Sequence, residues 1–130
     1  MILSVPKTCS AILDRLENAY GPCAGFSAEC SGMIWNPIRG HVPRGFLGAT
    51  GDPSEVELVL VVAEPGDPHD AENYRQTHSP RALLEEVSQY TLGCFSQGTD
   101  QFHRNVRYIL DACWPEHSFE CQLRRVWITE

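Results

Sequence analysis

This chain has 130 residues and a formal net charge of −7 at neutral pH, with 42% hydrophobic and 21% charged residues. These values are typical of one globular domain, and the acidity argues against a broad nucleic-acid-binding surface, which needs basic residues to neutralise phosphates. No apolar run reaches the length of a membrane span, and the first ten residues lack the pattern of a secretion signal. We therefore expect a cytoplasmic protein with no membrane partner. A local basic patch remains an alternative, and its residues would be Arg104, Arg107, Arg124 and Arg125.

The first part of the chain predicts an N-terminal helix within residues 1–20, followed by a long loop over residues 21–56. Ile12, Leu13 and Leu16 have helical spacing, and Gly21 with Pro22 is a typical helix end. The next segment is rich in glycine and proline and has little periodicity. Long loops of this kind in compact domains are often functional.

The segment that follows, LVLVVAEPGDPHDAENY, is the most informative in the chain. Leu58–Val62 is an unbroken apolar run rich in β-branched residues, which predicts a strand buried on both faces. It leads into a turn rich in acid, proline and glycine at residues 63–68. Because ligands in open α/β sheets bind beyond the carboxyl ends of strands, this loop is the first place to expect chemistry.

Helices and a second strand complete the pattern. Ser79 with Pro80 predicts a capped helix start, and Gly98 predicts its end. Asp100 predicts the cap of a second helix that ends near Cys113. A short amphipathic piece covers residues 118–124, and a second strand covers residues 126–129.

A strand, helices and a strand within residues 57–130 form a crossover unit, which predicts a parallel strand pair and an α/β fold. Two strands alone cannot bury the Leu58–Val62 run on both faces. We therefore expect a partial three-layer αβα domain with a parallel sheet, incomplete at the C-terminus. Either residues 1–130 are a truncated part of a longer domain, which we favour, or a homodimer completes the unfinished sheet.

The six cysteines contain no C-x-x-C pair, and without a secretion signal we expect them to be reduced thiols. Cys94 and Cys113 fall on apolar helix faces, where cysteine acts as a small hydrophobe. An iron–sulfur or metal site with Cys23, Cys30 and Cys121 as ligands remains an alternative interpretation, although the spacing of these residues is not diagnostic. The expectation is that no cofactor is bound.

The layout resembles the N-terminal half of the uracil-DNA glycosylase superfamily over roughly residues 20–130. In that family a buried strand runs into a Gly-Glu-x-Pro-Gly type loop, and helices lead to a strand that ends near a Thr-Asn pair. The counterparts here are Leu58–Val62 with Ala63-Glu64-Pro65-Gly66, the helices within residues 79–113, and the strand at residues 126–129. Val62 or Ala63 replaces the leading glycine.

The resemblance implies a hydrolase of DNA repair that cleaves the N-glycosidic bond of uracil or a damaged base. Its partner would be DNA that contains a damaged or deaminated base. Glu64 and Asp67 would be the catalytic carboxylates that orient water and stabilise an oxocarbenium-like state. The implied base-binding residues are Pro65, Gly66, Tyr74 and His69. In this role Pro65 and Gly66 shape a backbone cradle, Tyr74 stacks on the extruded base, and His69 contacts the base or a phosphate.

Simpler interpretations remain for each residue. Glu64 and Asp67 also fit a solvated turn, and Asp70 with Glu72 fits a solvated face. His69 fits a surface histidine, and Tyr74 fits a core or rim aromatic residue. Two alternative functions stay open: a non-catalytic member of the same fold that binds a nucleobase or nucleotide, and an unrelated small α/β protein that dimerises.

Overall fold

The computed structural model describes residues 5–20, 44–63, 69–70, 72, 74 and 79–129. These residues form an α/β fold. The helices are α1 (Ser10–Leu16), α2 (Pro80–Gln97), α3 (Gln101–Cys113) and α4 (Phe119–Arg125). The strands are β1 (Leu47–Gly48), β2 (Leu58–Val61) and β3 (Val126–Thr129), and short 3-10 turns lie at Glu17–Tyr20 and Pro53–Glu55.

Side-chain caps set the starts of three helices. Ser79, Asp100 and Ser118 each accept a hydrogen bond from the backbone N–H three residues later. Gly98 ends α2 in the left-handed conformation, with φ of 60°. The predicted starts of α2 and α3 and the predicted end of α2 are therefore confirmed. Within the described part of the chain, no helix is both long and apolar enough to cross a bilayer.

The sheet has the strand order β1-β3-β2. β2 runs parallel to β3, with Leu58 opposite Val126, and this confirms the predicted parallel pair. β1 runs antiparallel on the other side of β3, with Gly48 opposite Trp127. The described sheet is therefore mixed, and the prediction of a parallel sheet is wrong at this edge. β1 lies inside the segment predicted to be a loop, and two residues of strand are too short to produce a periodic pattern.

The prediction that Leu58–Val62 is buried on both faces is wrong. Leu58 and Leu60 are half-buried, whereas Val59 and Val61 are 54% and 76% exposed. β2 lies at an edge of the described sheet, and no element in the described residues covers the side that carries the two valines. An apolar run alone does not distinguish a strand covered on both faces from one covered on a single face.

Two apolar clusters pack around β3. Trp127 packs against the first cluster, which consists of Leu13, Phe46, Tyr74, Leu83, Leu84 and Val87. The second cluster consists of Leu47, Leu92, Phe95, Val106, Leu110, Leu123, Val126 and Ile128. Neighbouring residues of β3 thus join different clusters, as strand alternation requires, and α2 contributes to both. This arrangement fixes the carboxyl end of α2 and the start of α3 beside the sheet.

Candidate functional site

A cavity of about 270 Å³ opens beside the carboxyl end of β2. Val62 and Ala63, which follow β2, line it together with Gly45 and with residues of α2 and α3. Its size is near the lower end of the range for small-molecule pockets, which is roughly 300–1,000 Å³. Because Val62 and Ala63 directly follow β2, the cavity lies at the position where ligands bind in open α/β sheets.

The deepest charged groups on the wall are Arg44 and Glu72, which we call the inner pair. Arg44 Nη1 donates to both carboxylate oxygens of Glu72, at 3.1 and 3.2 Å. The Tyr74 hydroxyl donates to Oε2 at 3.0 Å, and the His69 backbone N–H donates to Oε1 at 3.1 Å. The Glu72 side chain is 1% exposed and that of Arg44 is 11% exposed. Because each carboxylate oxygen accepts two hydrogen bonds and the charge is compensated, Glu72 acts as a structural clamp.

A second pair, the outer pair, consists of Asp100 and His103 at the start of α3. Asp100 Oδ1 accepts from the His103 backbone N–H at 3.0 Å, and it lies 2.8 Å from Nδ1 of the same histidine. The backbone hydrogen bond from His103 is the largest cause that lowers the pKa of Asp100, and the side-chain hydrogen bond acts in the same direction. The carboxylate is therefore ionised at neutral pH and accepts from both nitrogens.

Aromatic neighbours hold the His103 ring in place. The ring packs edge-on against Phe95, with centroids 4.6 Å apart, and against Phe102, with centroids 5.3 Å apart. The side chain is 16% exposed, whereas that of Asp100 is 51% exposed. The outer pair thus combines a fixed imidazole with access to solvent and to the cavity.

The α2 wall of the cavity carries Tyr90 and Cys94, which lie one helical turn apart. Burial raises the pKa of Tyr90 above its ordinary value of 10.0, and the nearby Cys94 and Glu72 act in the same direction. Tyr90 therefore keeps its proton at neutral pH and presents a neutral hydroxyl. Thr91 also lines the cavity, but its hydroxyl donates to the Val87 carbonyl within the helix.

Four of the predicted site residues, Glu64, Pro65, Gly66 and Asp67, lie outside the described residues, so their roles stay predictions. Ala63, which immediately precedes them, lines the cavity.

The other two predicted site residues are described. His69 lines the cavity, and its backbone N–H supports Glu72. Tyr74 is buried in the first apolar cluster and is not on the cavity wall. This placement agrees with the core interpretation of Tyr74 and does not favour base stacking, which stays a prediction.

The expectation that Glu72 belongs to a solvated face is wrong, because its side chain is buried and paired. Its partner Arg44 is distant in sequence, and no local pattern links the two. The sequence does contain a local pattern for the outer pair, because the predicted helix cap Asp100 is followed three positions later by a histidine. Only the cap was inferred, because a sequence does not show which side of a helix start faces a cavity.

The described cysteines, Cys9, Cys94, Cys113 and Cys121, are free thiols. Cys113 is exposed at the end of α3, so its expected place on an apolar face is wrong. Cys121 is also exposed, and the other two candidate cluster ligands, Cys23 and Cys30, lie outside the described residues. Among the residues that the structure describes, no three or more metal-ligating side chains are grouped.

The four arginines of the possible basic patch all have partners within the chain. Arg124 and Arg125 form ion pairs with Glu55 and Glu57 respectively, each with a shortest distance of 2.7 Å. Arg104 donates to the Gly98 carbonyl at 3.0 Å. Arg107 donates to the Phe95 carbonyl and lies 3.9 Å above the ring of Phe119. The two ion pairs offset the charges of Arg124 and Arg125, whereas Arg104 and Arg107 contact neutral groups and keep their positive charge.

Comparisons of this chain with protein-family models, with curated proteins and with solved structures give no match. Function is therefore argued from the cavity, from the residues that line it and from the sequence resemblance.

Proposed function

We propose that the cavity receives a single nucleobase and that this protein is a DNA N-glycosidase for uracil or a related damaged base. The observation that carries the proposal is the place of the cavity. Its wall includes Val62 and Ala63, which lead directly into the Glu64-Pro65-Gly66-Asp67 motif at the carboxyl end of the parallel pair. The proposal includes a three-layer αβα domain in a cytoplasmic protein.

The lining suits a flat ligand with a polar edge. Phe95, Phe102 and His103 form an aromatic side, whereas Arg44, Glu72 and Tyr90 bring polar groups to the wall. Enzymes that act on a base within DNA extrude it into a pocket, where aromatic or apolar side chains stack on it and hydrogen bonds read its edge. A cavity of about 270 Å³ suits one base rather than a dinucleotide.

In the proposed reaction the bond between the base nitrogen and the sugar carbon C1′ breaks. The electron pair of that bond leaves with the base, and an oxocarbenium-like sugar develops. A water oxygen forms the new bond to C1′, and its proton passes to a carboxylate, for which Glu64 and Asp67 are the candidates. Pro65 and Gly66 would shape the loop, and the Gly66 amide would bind a carbonyl of the departing base.

The test is uracil excision from a labelled single-stranded oligonucleotide by the 130-residue chain. We expect alkali-labile breakage at uracil, none at thymine in a matched oligonucleotide, and loss of breakage in Glu64→Ala or Asp67→Ala. Glu116→Ala, at an exposed position outside the cavity wall, is the matched control and should retain the rate. A full rate in either loop variant would remove that carboxylate from the mechanism.

A second candidate function is recognition of a base without cleavage. The two described carboxylates on the cavity wall, Glu72 and Asp100, are both held in hydrogen bonds, and the net charge of −7 does not favour DNA. Binding of 1-methyluracil, seen as amide shifts at Gly45 and Thr91 in nuclear magnetic resonance spectra, would support this function if excision is absent. Absence of both binding and excision would contradict both candidates.

A further inference from the structure

We infer that His103, positioned by Asp100, is the residue that reads the edge of the bound base and favours deaminated bases. This inference rests on the proposed function, because it assigns the ligand preference of the same cavity. His103 would be a binding residue that contacts the ligand, and Asp100 would be a positioning residue that acts through His103.

The inner pair is not suited to this reading. Both oxygens of Glu72 already accept two hydrogen bonds, and its charge is matched by Arg44. A ligand that took one of these bonds would leave another buried group without a partner, which is costly. The outer pair differs because one nitrogen of its imidazole, Nδ1, makes the contact with Asp100 and the other, Nε2, makes no hydrogen bond to the described residues.

Asp100 determines which ring nitrogen carries the proton. Its carboxylate accepts the backbone N–H of His103 and faces Nδ1 at 2.8 Å, so the proton of the neutral ring belongs on Nδ1. Nε2 is then an acceptor. The contacts with Phe95 and Phe102 oppose rotation of the ring, so the acceptor keeps its direction.

A fixed acceptor selects a ligand with a ring N–H on its pairing edge. Uracil carries such a donor at N3 and hypoxanthine at N1. Cytosine and adenine, from which these bases arise by deamination, present an acceptor at the same positions. Two acceptors facing each other leave both without a partner, and a site built for a hydrogen bond rejects the analogue that cannot make it.

The experiment compares the dissociation constants of 1-methyluracil and 1-methylcytosine for the full chain labelled with nitrogen-15 in histidine. The methyl group replaces the sugar bond, so the pairing edge is the variable. We expect 1-methyluracil to bind about tenfold or more tightly than 1-methylcytosine, as one satisfied hydrogen bond implies. Binding should also move the nitrogen-15 resonance of His103 Nε2 much further than that of Nδ1.

Two variants distinguish a loss of base recognition by His103 from a loss of folded structure. His103→Gln presents both a donor and an acceptor, so it should bring the ratio of the two dissociation constants close to one. Asp100→Asn keeps a good helix cap, because asparagine caps as well as aspartate, but its amide no longer fixes the imidazole proton. In that variant the two His103 nitrogen shifts should approach each other before any ligand is added. His117→Gln is the matched control because His117 does not line the cavity, and it should keep the wild-type ratio.

The outcomes distinguish this inference from the proposed function. If 1-methyluracil binds but His103→Gln keeps the full preference, the inference is overturned and the base-binding function stands. Nitrogen shifts that show both nitrogens of His103 protonated at the pH of the binding experiment, or that place the proton of the neutral ring on Nε2, would also overturn the inference, because Nε2 would then be a donor. If the wild-type chain binds neither base but excises uracil, the inference is overturned and the proposed function stands. If binding and excision are both absent, the proposed function fails and the ligand assignment fails with it.

Discussion

The inner pair and the outer pair line the same cavity but differ in the number of donors that surround the carboxylate. Glu72 is almost fully buried and accepts four hydrogen bonds, from Arg44, Tyr74 and His69. Asp100 is half exposed and is held by two nitrogens of a single residue, His103. The inner pair joins residues 28 positions apart, whereas the two residues of the outer pair stand three positions apart at the start of α3. Within the described residues, Nε2 of His103 in the outer pair makes no hydrogen bond.

This difference follows from the free-energy cost of burying charge. A carboxylate removed from water must regain its hydrogen bonds from the protein, so a deeply buried ion pair uses all of its bonding capacity to remain stable. A shallower pair can leave capacity for a ligand because water satisfies it in the free state. Within one cavity, the less buried pair thus has more hydrogen-bonding capacity to offer a ligand.

The largest expected effect on stability comes from a substitution in β1, the strand that follows Arg44 of the inner pair. Gly48 in β1 has φ of +103°, and a Cβ added there would lie 2.1 Å from the Val126 carbonyl oxygen. Gly48→Ala should lower the free energy of unfolding by about 4 kcal/mol, through strain and the displacement of β1, whose N-terminal side leads back to Arg44. Denaturant unfolding followed by circular dichroism measures this change.

The matched control is Gly93→Ala in α2, where an added Cβ meets no atom within 4 Å. This variant should be more stable than the wild type by about 0.5–1 kcal/mol, because alanine is the better helix former. Equal stabilities of the two variants would contradict the close packing of β1 on β3.

The next effect breaks the inner pair itself. Glu72→Gln leaves the guanidinium of Arg44 buried without this compensating charge, and we expect a loss of about 3 kcal/mol in unfolding free energy. Glu57→Gln breaks the exposed ion pair with Arg125 and should cost at most about 0.5 kcal/mol. Similar losses in the two variants would show that Glu72 is not the clamp described above.

The smallest effect is a change in proton affinity. Because the folded state raises the pKa of Tyr90 above 10.0, the stabilisation of the protonated phenol is complete below that value. It is lost as the pH rises through the raised pKa. A near-ultraviolet absorbance titration should show a late-ionising phenol that Tyr90→Phe removes.

In Glu72→Gln the pKa of Tyr90 should fall, because the negative charge of Glu72 helps to raise it. An unchanged titration in that variant would mean that the inner pair and the α2 wall are electrostatically independent.

Features set by neighbouring residues could be predicted from the sequence, whereas features set by distant residues could not. The caps at Ser79 and Asp100 and the end of α2 at Gly98 follow from local hydrogen bonding, and the parallel pair follows from the crossover between β2 and β3. The burial of Glu72 depends on Arg44, 28 positions away in the chain. The exposure of Val59 and Val61 likewise depends on which elements cover β2, and an apolar run does not encode this.

The same limit applies to the candidate site. The sequence indicated the end of β2 as its position, and the cavity lies there. It did not indicate Arg44, Tyr90 or His103, because each belongs to a different part of the chain and they meet only at the cavity wall. The side of the helix start that faces the cavity is set by packing of α3 against Phe95 and its neighbours.

The central position of β3 in the sheet also has a consequence for biosynthesis. Every strand pair in the described sheet includes β3, which follows both of its partners in sequence. No hydrogen bond of this sheet can form until residues 126–129 have left the ribosome. During translation the Leu58–Val61 segment therefore emerges long before its partner strand, as an apolar stretch available to chaperones and prone to aggregation.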